Sequence, residues 1–247
     1  MLMSSFIDIL YPRRCPVCDG IVAPLSLDGA GKIVTGKLIH ESCAKKVKYI
    51  KGSTCVKCGK KLTGAYADME YCADCRKHEH IYDRGFAIFD YRSIAGSIYR
   101  FKYAGRQEYA SFYADRVRRM YGKKLKKLGI EAIIPVPMYR EKEKQRGYNQ
   151  ALVFAKEVSR QCQIPIYKDL IIRRKNTRPM KELDVRGRRN NLKKAFNIVR
   201  NDVEFKCILI IDDIYTTGST IDEIAHEFRI AGVERIYFLS LAIGQTT

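Results

Sequence analysis

The segment ILIIDDIYTTGSTIDEI, residues 208–224, indicates both the fold and the site of this chain. Four apolar residues lead into two adjacent carboxylates, Asp212 and Asp213. A run of hydroxyl-bearing residues with one glycine follows, and then apolar residues recur at helical spacing. In open parallel sheets, ligands bind at the carboxyl ends of strands. The segment therefore predicts a ligand site where a buried strand turns into a helix.

The turn between the predicted strand and helix has the chemistry of a phosphate site. Backbone N–H groups converge in such a turn, and a helix N-terminus carries partial positive charge. Gly218 allows close approach of the backbone, and two adjacent acids suit ribose hydroxyls or a divalent ion held with them. A sugar with a 5-phosphate meets both demands. The chain has no complete G-x-x-x-x-G-K-[ST] motif and no G-x-G-x-x-G motif, which disfavours a nucleotide P-loop and a dinucleotide fold. The turn residues are Thr216, Thr217, Gly218, Ser219 and Thr220.

Strand and helix patterns alternate from residue 81 onward, and the strands read as continuous apolar runs. This order predicts an α/β domain with a parallel sheet covered by helices on both faces. The stretch FKYAGR, 101–106, either lines the site or ends a helix. Strands are predicted within 81–91, 131–137, 164–174, 194–199, 206–212 and 234–243, and helices within 93–106, 107–128, 147–162 and 219–232.

Cysteine spacing in the first third of the chain predicts two structural zinc sites. Seven of the nine cysteines precede residue 76, and six of those seven form C-x-x-C pairs. In a chain of this kind such spacing favours zinc over disulfides. Two knuckles make a closed tetrahedral shell without an open position for chemistry. The predicted ligands are Cys15, Cys18, His40 and Cys43 at one site, and Cys55, Cys58, Cys72 and Cys75 at the other.

The fourth ligand of the first site is a histidine, His40, in an H-x-x-C pair with Cys43. His78 and His80 follow a complete four-cysteine shell, so we expect them to be exposed to solvent. The predicted organisation is a double zinc-knuckle module over residues 1–80 and an α/β domain over 81–247.

The chain is strongly basic, with a formal charge of +19 over 247 residues. Such an excess favours an anionic partner, although a solvated basic surface explains it equally well. Between residues 140 and 194 there are 17 basic and 6 acidic residues, so this part contributes 17 − 6 = +11. No apolar run is long enough to span a bilayer, and the first residues do not resemble a signal peptide. We therefore expect a soluble, cytoplasmic protein.

The stretch ILIIDDIYTTGST resembles the phosphoribosyl pyrophosphate (PRPP) motif of type I phosphoribosyltransferases. Two further segments, PVPMYREKEKQRGYNQA (135–151) and RRKNTRPMKELDVRGRRNNLKKAF (173–196), are similar to signature segments of the ComF family. These are competence-associated, phosphoribosyltransferase-like proteins that also carry N-terminal zinc knuckles. The resemblance implies a type I phosphoribosyltransferase-like domain preceded by a small double zinc ribbon.

The resemblance also implies roles for individual residues. Asp212 and Asp213 bind the ribose hydroxyls, residues 216–220 hold the 5-phosphate, and Mg²⁺ accompanies the pyrophosphate. The loop after residue 137 takes the place of the pyrophosphate loop, and 173–190 takes the place of a flexible hood. Purine-salvage relatives have a carboxylate where this chain has Thr216. The implied anion-binding residues are Arg140, Lys144, Arg146, Arg178, Arg186 and Arg189.

Three functions stay open on the sequence. The first is a PRPP-binding enzyme, namely a phosphoribosyltransferase of unknown acceptor in nucleotide metabolism. The second is a competence protein that keeps the transferase fold and acts in natural transformation, contacting single-stranded DNA or, as the family resemblance implies, a competence helicase. The third is a zinc-stabilised scaffold for other proteins. The first function predicts PRPP binding that is lost in Asp212→Asn/Asp213→Asn. The second predicts single-stranded DNA binding that weakens steeply with salt and survives that double change.

Overall fold

A computed structural model describes residues 12–23, 25–27, 33–174, 195–199 and 204–244. The strands are β1 Leu25–Leu27, β2 Ile33–Thr35, β3 Arg84–Asp90, β4 Ala132–Pro135, β5 Ile171–Arg173, β6 Phe196–Ile198, β7 Cys207–Tyr215 and β8 Arg235–Ile243. The helices are α1 Glu41–Ala44, α2 Ala73–Lys77, α3 Tyr91–Tyr103, α4 Tyr109–Leu128, α5 Arg140–Arg146, α6 Gln150–Cys162 and α7 Ser219–Ile230, with one 3₁₀ turn at Gly64–Tyr66.

The central sheet has four parallel strands in the order β3-β8-β7-β4. Side chains of β7 alternate between two apolar clusters. Leu209 and Ile211 pack with α3, α4 and α6, whereas Ile208 and Ile210 pack with α7. The predicted parallel sheet with helices on both faces is therefore confirmed, and continuous apolar strands are the reason, because both faces of each strand are buried.

Two of the predicted strands lie outside this sheet. Of the segment 164–174, only Ile166 bridges to β4, through Ile133, while β5 forms a separate antiparallel pair with β6. The backbone explains the division: Ile133 donates to the carbonyl of Pro165 and accepts from Tyr167, so these residues cover the edge of β4 before the chain turns away.

The cysteine-rich region packs against the other edge of the sheet. Ile50 donates its N–H to the carbonyl of Ile88, and Asp90 donates to that of Lys48, each at 2.9 Å. Residues 48–50 thus line edge strand β3. Cys15 and Cys43 belong to the apolar cluster on one face of the sheet, and the cysteines 55, 58 and 72 belong to the cluster on the opposite face. The predicted domain boundary at residue 80 stays a prediction.

The ends of the main helices follow from local sequence. Asp90 caps α3 by accepting from the N–H of Arg92, and Asn149 caps α6 in the same way. Gly129 ends α4 in a left-handed conformation, with φ of 66°. None of the helices in the described ranges has an apolar stretch long enough to cross a membrane.

Candidate functional site

The acid pair, Asp212 and Asp213, lies within β7, near the carboxyl end of the strand. The strand continues three residues beyond Asp212, to Tyr215, because it stays paired with β8. Adjacent strand residues point to opposite faces. Asp212 is half-buried and lines a shallow cavity, whereas Asp213 is 6% exposed and is not among the residues that line it. The structure therefore brings one of the two acids, Asp212, to the cavity wall.

The predicted phosphate turn lies in the same cavity. Residues 216–218 form a bend, α7 begins at Ser219, and residues 216–220 all line the cavity with Asp212. Gly218 is the N-cap, with φ of 80°. A methyl group at Gly218 would lie 2.6 Å from the hydroxyl of Tyr215 and 3.0 Å from Cε1 of His80, so only glycine fits. Thr217 and Ser219 place their hydroxyls 3.0 Å apart.

Lys102 contacts the acid pair, and the sequence indicated it only as part of an ambiguous stretch. Its ammonium lies 2.8 Å from the carboxylate of Asp213. Burial opposes the charge of this lysine, but the carboxylate of Asp213 outweighs it and raises the pKa of Lys102. The helix-end interpretation of the stretch 101–106 is confirmed, because α3 ends there, at Tyr103, with Gly105 at φ of 68°. Residues 101–106 are not among those that line the cavity, although Lys102 reaches Asp213.

The electrostatic state of Asp212 differs from that of its neighbour. Burial, and next the charge of Asp213, raise the pKa of Asp212 to about 7. The positive charges of Lys102 and Arg173 oppose that shift. Arg173 belongs to the start of the predicted hood, and the partial loss of water around it lowers its own pKa while Asp212 works against the change. A carboxyl group whose pKa is raised by burial and by a neighbouring charge, beside a helix N-terminus, is typical of a functional site.

The predicted anion-binding residues after β4 lie on a helix rather than on a loop. Arg140, Lys144 and Arg146 all belong to α5, whose sequence REKEKQR has high helix propensity but no apolar periodicity, so the pattern gave no helix signal. Arg140 and Lys144 are exposed. The guanidinium of Arg146 lies 4.8 Å from the ring centre of Tyr103, next to Lys102. The predicted residues Arg178, Arg186 and Arg189 lie outside the described residues.

The first cysteine cluster has the geometry of a zinc site. The ligand atoms of Cys15, Cys18, His40 and Cys43 all lie within 4.8 Å of one another. Nδ1 of His40 is 3.3 Å from the sulfur of Cys18. Its other ring nitrogen, Nε2, lies 2.8 Å from the carbonyl of Ile21. A proton on Nε2 leaves Nδ1 free to bind metal, which is the usual outer-shell arrangement.

The second cluster, Cys55, Cys58, Cys72 and Cys75, meets the same distance limit. The sulfurs of Cys58 and Cys72 are 3.7 Å apart, which matches the spacing of about 3.8 Å set by tetrahedral Zn–S bonds of about 2.3 Å. Gly59 closes the knuckle with φ of 76°. The donor sets are those of structural zinc.

The expectation that His80 is exposed is wrong. Its side chain is 2% exposed, and Nδ1 lies 2.8 Å from a carboxylate oxygen of Asp222 in α7. The ring also stacks on Tyr82, with centroids 4.9 Å apart. No short-range pattern marks this role, because Asp222 lies 142 residues further along the chain.

The first knuckle is fastened to the turn between α3 and α4. Arg100 donates to the carbonyls of Pro16 and Val17, and Asp19 accepts from Arg106 and from the hydroxyl of Tyr109. Burial works against ionisation of Asp19, but the hydrogen bonds from Arg106 and Tyr109 prevail and lower its pKa. This turn directly follows Lys102, so the first knuckle supports the helix that reaches Asp213.

Two family models match this chain. The double zinc ribbon domain matches residues 6–76, and the phosphoribosyl transferase domain matches residues 149–244. The first range contains every ligand of both cysteine clusters. The clusters are therefore zinc-ribbon sites, and the parallel sheet that carries the acid pair has the phosphoribosyltransferase type of fold.

Individual relatives cover most of the chain. Competence protein F of Haemophilus influenzae is 35% identical over 211 residues, which are 81% of this chain and 88% of that protein. DNA utilization protein YhgH of Escherichia coli O157:H7 is 29% identical over 225 residues, 88% of this chain and 91% of that one. Competence protein ComFC of Bacillus subtilis is 26% identical over 191 residues, 73% of each chain. Among solved structures, a purine phosphoribosyltransferase from Pyrococcus horikoshii Ot3 aligns with a TM-score of 0.35 and 22% identity, over 53% of this chain and 73% of that chain.

Proposed function

This chain belongs to the ComF family of competence proteins, and on that premise we propose that it binds PRPP with Mg²⁺ through its phosphoribosyltransferase-like domain and acts in DNA uptake. The observation that carries the PRPP part is one shared cavity wall. A carboxylate, Asp212, and the turn 216–220 that opens α7 meet there. The DNA-uptake part is supported by the names of the relatives, which are competence and DNA utilization proteins.

Each part of PRPP finds a partner of suitable chemistry at this wall. The amides and hydroxyls of residues 216–220 suit the 5-phosphate. The carboxylate of Asp212 at the cavity wall suits a ribose hydroxyl. Mg²⁺ prefers oxygen ligands, and the carboxylate of Asp212 could hold it together with the pyrophosphate oxygens. When bound with the ligand, Mg²⁺ would neutralise charge on the pyrophosphate. Arg173, whose charge acts on Asp212, supplies nearby positive charge.

Calorimetric titration with PRPP and Mg²⁺ tests this proposal. The double variant Asp212→Asn/Asp213→Asn should lose at least about tenfold in affinity, because the hydrogen bond to the charged carboxylate at the cavity wall, worth about 1.5–3 kcal/mol, is removed. Asp68→Asn/Glu70→Gln removes the same two charges from an exposed part of the zinc ribbons and should bind as the wild type does. Equal affinity of the two double variants would contradict the proposal.

A second candidate function, single-stranded DNA binding, is favoured by an exposed aromatic pair. Tyr99 and Tyr103, on the same face of α3, are 63% and 62% exposed, and their ring centres are 5.1 Å apart. Arg146 stacks on Tyr103. Exposed aromatic rings beside guanidinium groups suit unstacked bases and the phosphates between them.

Fluorescence anisotropy with a labelled oligo-dT tests that surface. Tyr99→Ala/Tyr103→Ala should weaken binding by at least about tenfold, since stacking contributes about 1–3 kcal/mol per base. Tyr91→Ala, an exposed tyrosine at the start of the same helix, is the control. An unchanged affinity of the double variant would assign DNA binding to another surface. A competence helicase on the same strand stays a proposed protein partner.

A further inference from the structure

The segment that follows the second zinc cluster touches both ends of the phosphate turn. His80 and Tyr82 lie seven residues or fewer after Cys75. The hydroxyl of Tyr82 lies 2.7 Å from that of Tyr215, the residue before the turn. His80 lies 2.8 Å from Asp222, four residues beyond the N-cap of α7. We call these two side chains, His80 and Tyr82, the clasp.

The clasp also forms the floor under the turn. Gly218 lies so close to the rings of Tyr215 and His80 that a methyl group there would collide with the tyrosine hydroxyl and make a tight contact with the histidine. Asp222 uses its second carboxylate oxygen to accept the N–H of Ile81 at 2.9 Å. The segment 80–82 therefore contacts the phosphate turn at Tyr215 and Gly218, and it is hydrogen-bonded to the start of α7 through Asp222.

The hydrogen bond between the two tyrosines is neutral and fully buried. Tyr82 is 0% exposed and Tyr215 5%. Burial raises the pKa of both phenols far above neutrality, so both stay protonated. One hydroxyl donates and the other accepts. Removal of either one leaves a buried hydroxyl without its partner, which is costly.

Continuous packing joins the clasp to the second cysteine cluster. Gly85 donates its N–H to the carbonyl of Lys57, between the first two cysteines. A methyl group at Gly59 would lie 2.7 Å from the backbone of Gly85. A methyl group at Gly85 would lie 2.1 Å from the ring of Phe238, so both would collide. Phe238 in turn stacks on Tyr215 at 4.8 Å and meets the ring of Tyr82 edge-on at 4.7 Å. The knuckle, the clasp and the turn thus form one packed unit with two glycines at its closest contacts.

We propose that the second zinc ribbon positions the phosphate turn through His80 and Tyr82, so that the turn keeps its anion-binding shape only while that zinc site is intact. His80 and Tyr82 are positioning residues in this account, since they contact the turn and not the cavity. The inference rests on the proposed PRPP function for its consequence in binding. Its structural half, the conformation of residues 214–221, is measurable without any ligand.

Hydrogen exchange of the zinc-loaded protein tests the structural half. In Tyr82→Phe, the amides of 214–221 should exchange at least about threefold faster, as expected for the loss of one buried hydrogen bond. Tyr121→Phe is the matched control, because it also removes one phenol hydrogen bond, to the carbonyl of Ala87, away from the turn. Asp222→Ala releases His80 and Ile81 together and should show a larger effect. Wild-type exchange at 214–221 in both Tyr82→Phe and Asp222→Ala would overturn the clasp.

A pair of cysteine substitutions tests the dependence on zinc. Cys75→Ser removes one ligand from the second cluster, and Cys18→Ser removes one from the first. Cys75→Ser should speed exchange at 214–221. Cys18→Ser should not, because the knuckle that contains Cys18 contacts the α3–α4 turn instead. Equal effects of the two substitutions would overturn the link to the second ribbon. If Cys75→Ser does not fold, Tyr82→Phe and Asp222→Ala decide the matter.

Binding measurements separate a positioning role from general destabilisation. Tyr82→Phe should weaken PRPP and ribose 5-phosphate by the same factor, about three- to tenfold, and leave inorganic pyrophosphate unchanged. A uniform loss for all three ligands would refute positioning of the phosphate turn. If the wild type binds no PRPP, the proposed function fails, and the exchange data still decide whether the clasp holds the turn. If the wild type binds PRPP while exchange in Tyr82→Phe is normal, the clasp alone fails.

Discussion

Replacement of Lys102 by methionine should reveal a buried ion pair beside the candidate site. The change keeps the length of the side chain and removes its charge. Asp213 is then left 8% exposed at the side chain without its partner at 2.8 Å. At that distance the attraction is about 6 kcal/mol for an effective dielectric constant of about 20. The desolvation of both ions offsets much of this attraction.

The expected net loss follows from which partner is removed. Breaking a fully buried pair costs about 3–5 kcal/mol, because a charge is left uncompensated. Lys102 is 18% exposed, so we expect Lys102→Met to lower the free energy of unfolding by about 2 kcal/mol. The double variant Lys102→Met/Asp213→Asn removes both charges and should recover most of that loss.

Urea unfolding of the zinc-loaded protein, followed by circular dichroism, gives all four corners of this double-mutant cycle. Lys206→Met is the control, since its pair with Glu234 is 62% and 64% exposed and should contribute less than about 0.5 kcal/mol. A coupling energy between Lys102 and Asp213 no larger than that of the control pair would refute the buried ion pair.

Three further predictions concern other parts of the molecule. Folding raises the pKa of Asp212, so the stability that its protonated form contributes is complete below the unfolded pKa and is lost as the pH rises through 7. Asp212→Asn lacks this pH dependence. In thermal melts, its free energy of unfolding relative to that of the wild type should therefore rise by about 2 kcal/mol between pH 5 and pH 8. The pKa of Asp19 is lowered, so Asp19→Asn, which tolerates the φ of 63°, should lose about 1 kcal/mol at pH 7 through Arg106 and Tyr109, and less as the pH falls toward 3. His40→Ala should reduce bound zinc, measured by mass spectrometry, by one of two equivalents, and two retained equivalents would exclude His40 as a ligand.

The parts of this structure that the sequence predicted are those set by neighbours along the chain. The strand, the turn and the start of α7 follow from an apolar run, a glycine at φ of 80° and a helical pattern, all within 208–224. The two cysteine clusters follow from ligand spacing, because two intervening residues bring both sulfurs to one side. Both features are short-range, and a single sequence records them well.

The contacts that the sequence did not predict join distant segments. The partner of Asp213 on strand β7 is Lys102 on helix α3, and nothing near either residue in the sequence marks the pair. The same is true of His80 and Asp222, which lie 142 residues apart. Helix α5 was missed for a different reason, since its seven charged and polar residues have helix propensity without an apolar face.

The backbone contacts along the two borders of the sheet have a consequence for how the protein behaves when metal is scarce. Residues 165–167 close one border at β4, and residues 48–50, which lie between the two cysteine clusters, close the other at β3. A strand border without hydrogen-bond partners is a template for strands of other molecules. Loss of zinc would detach 48–50 and open only the β3 border, so starvation for the metal should lead this protein toward aggregation from one defined side.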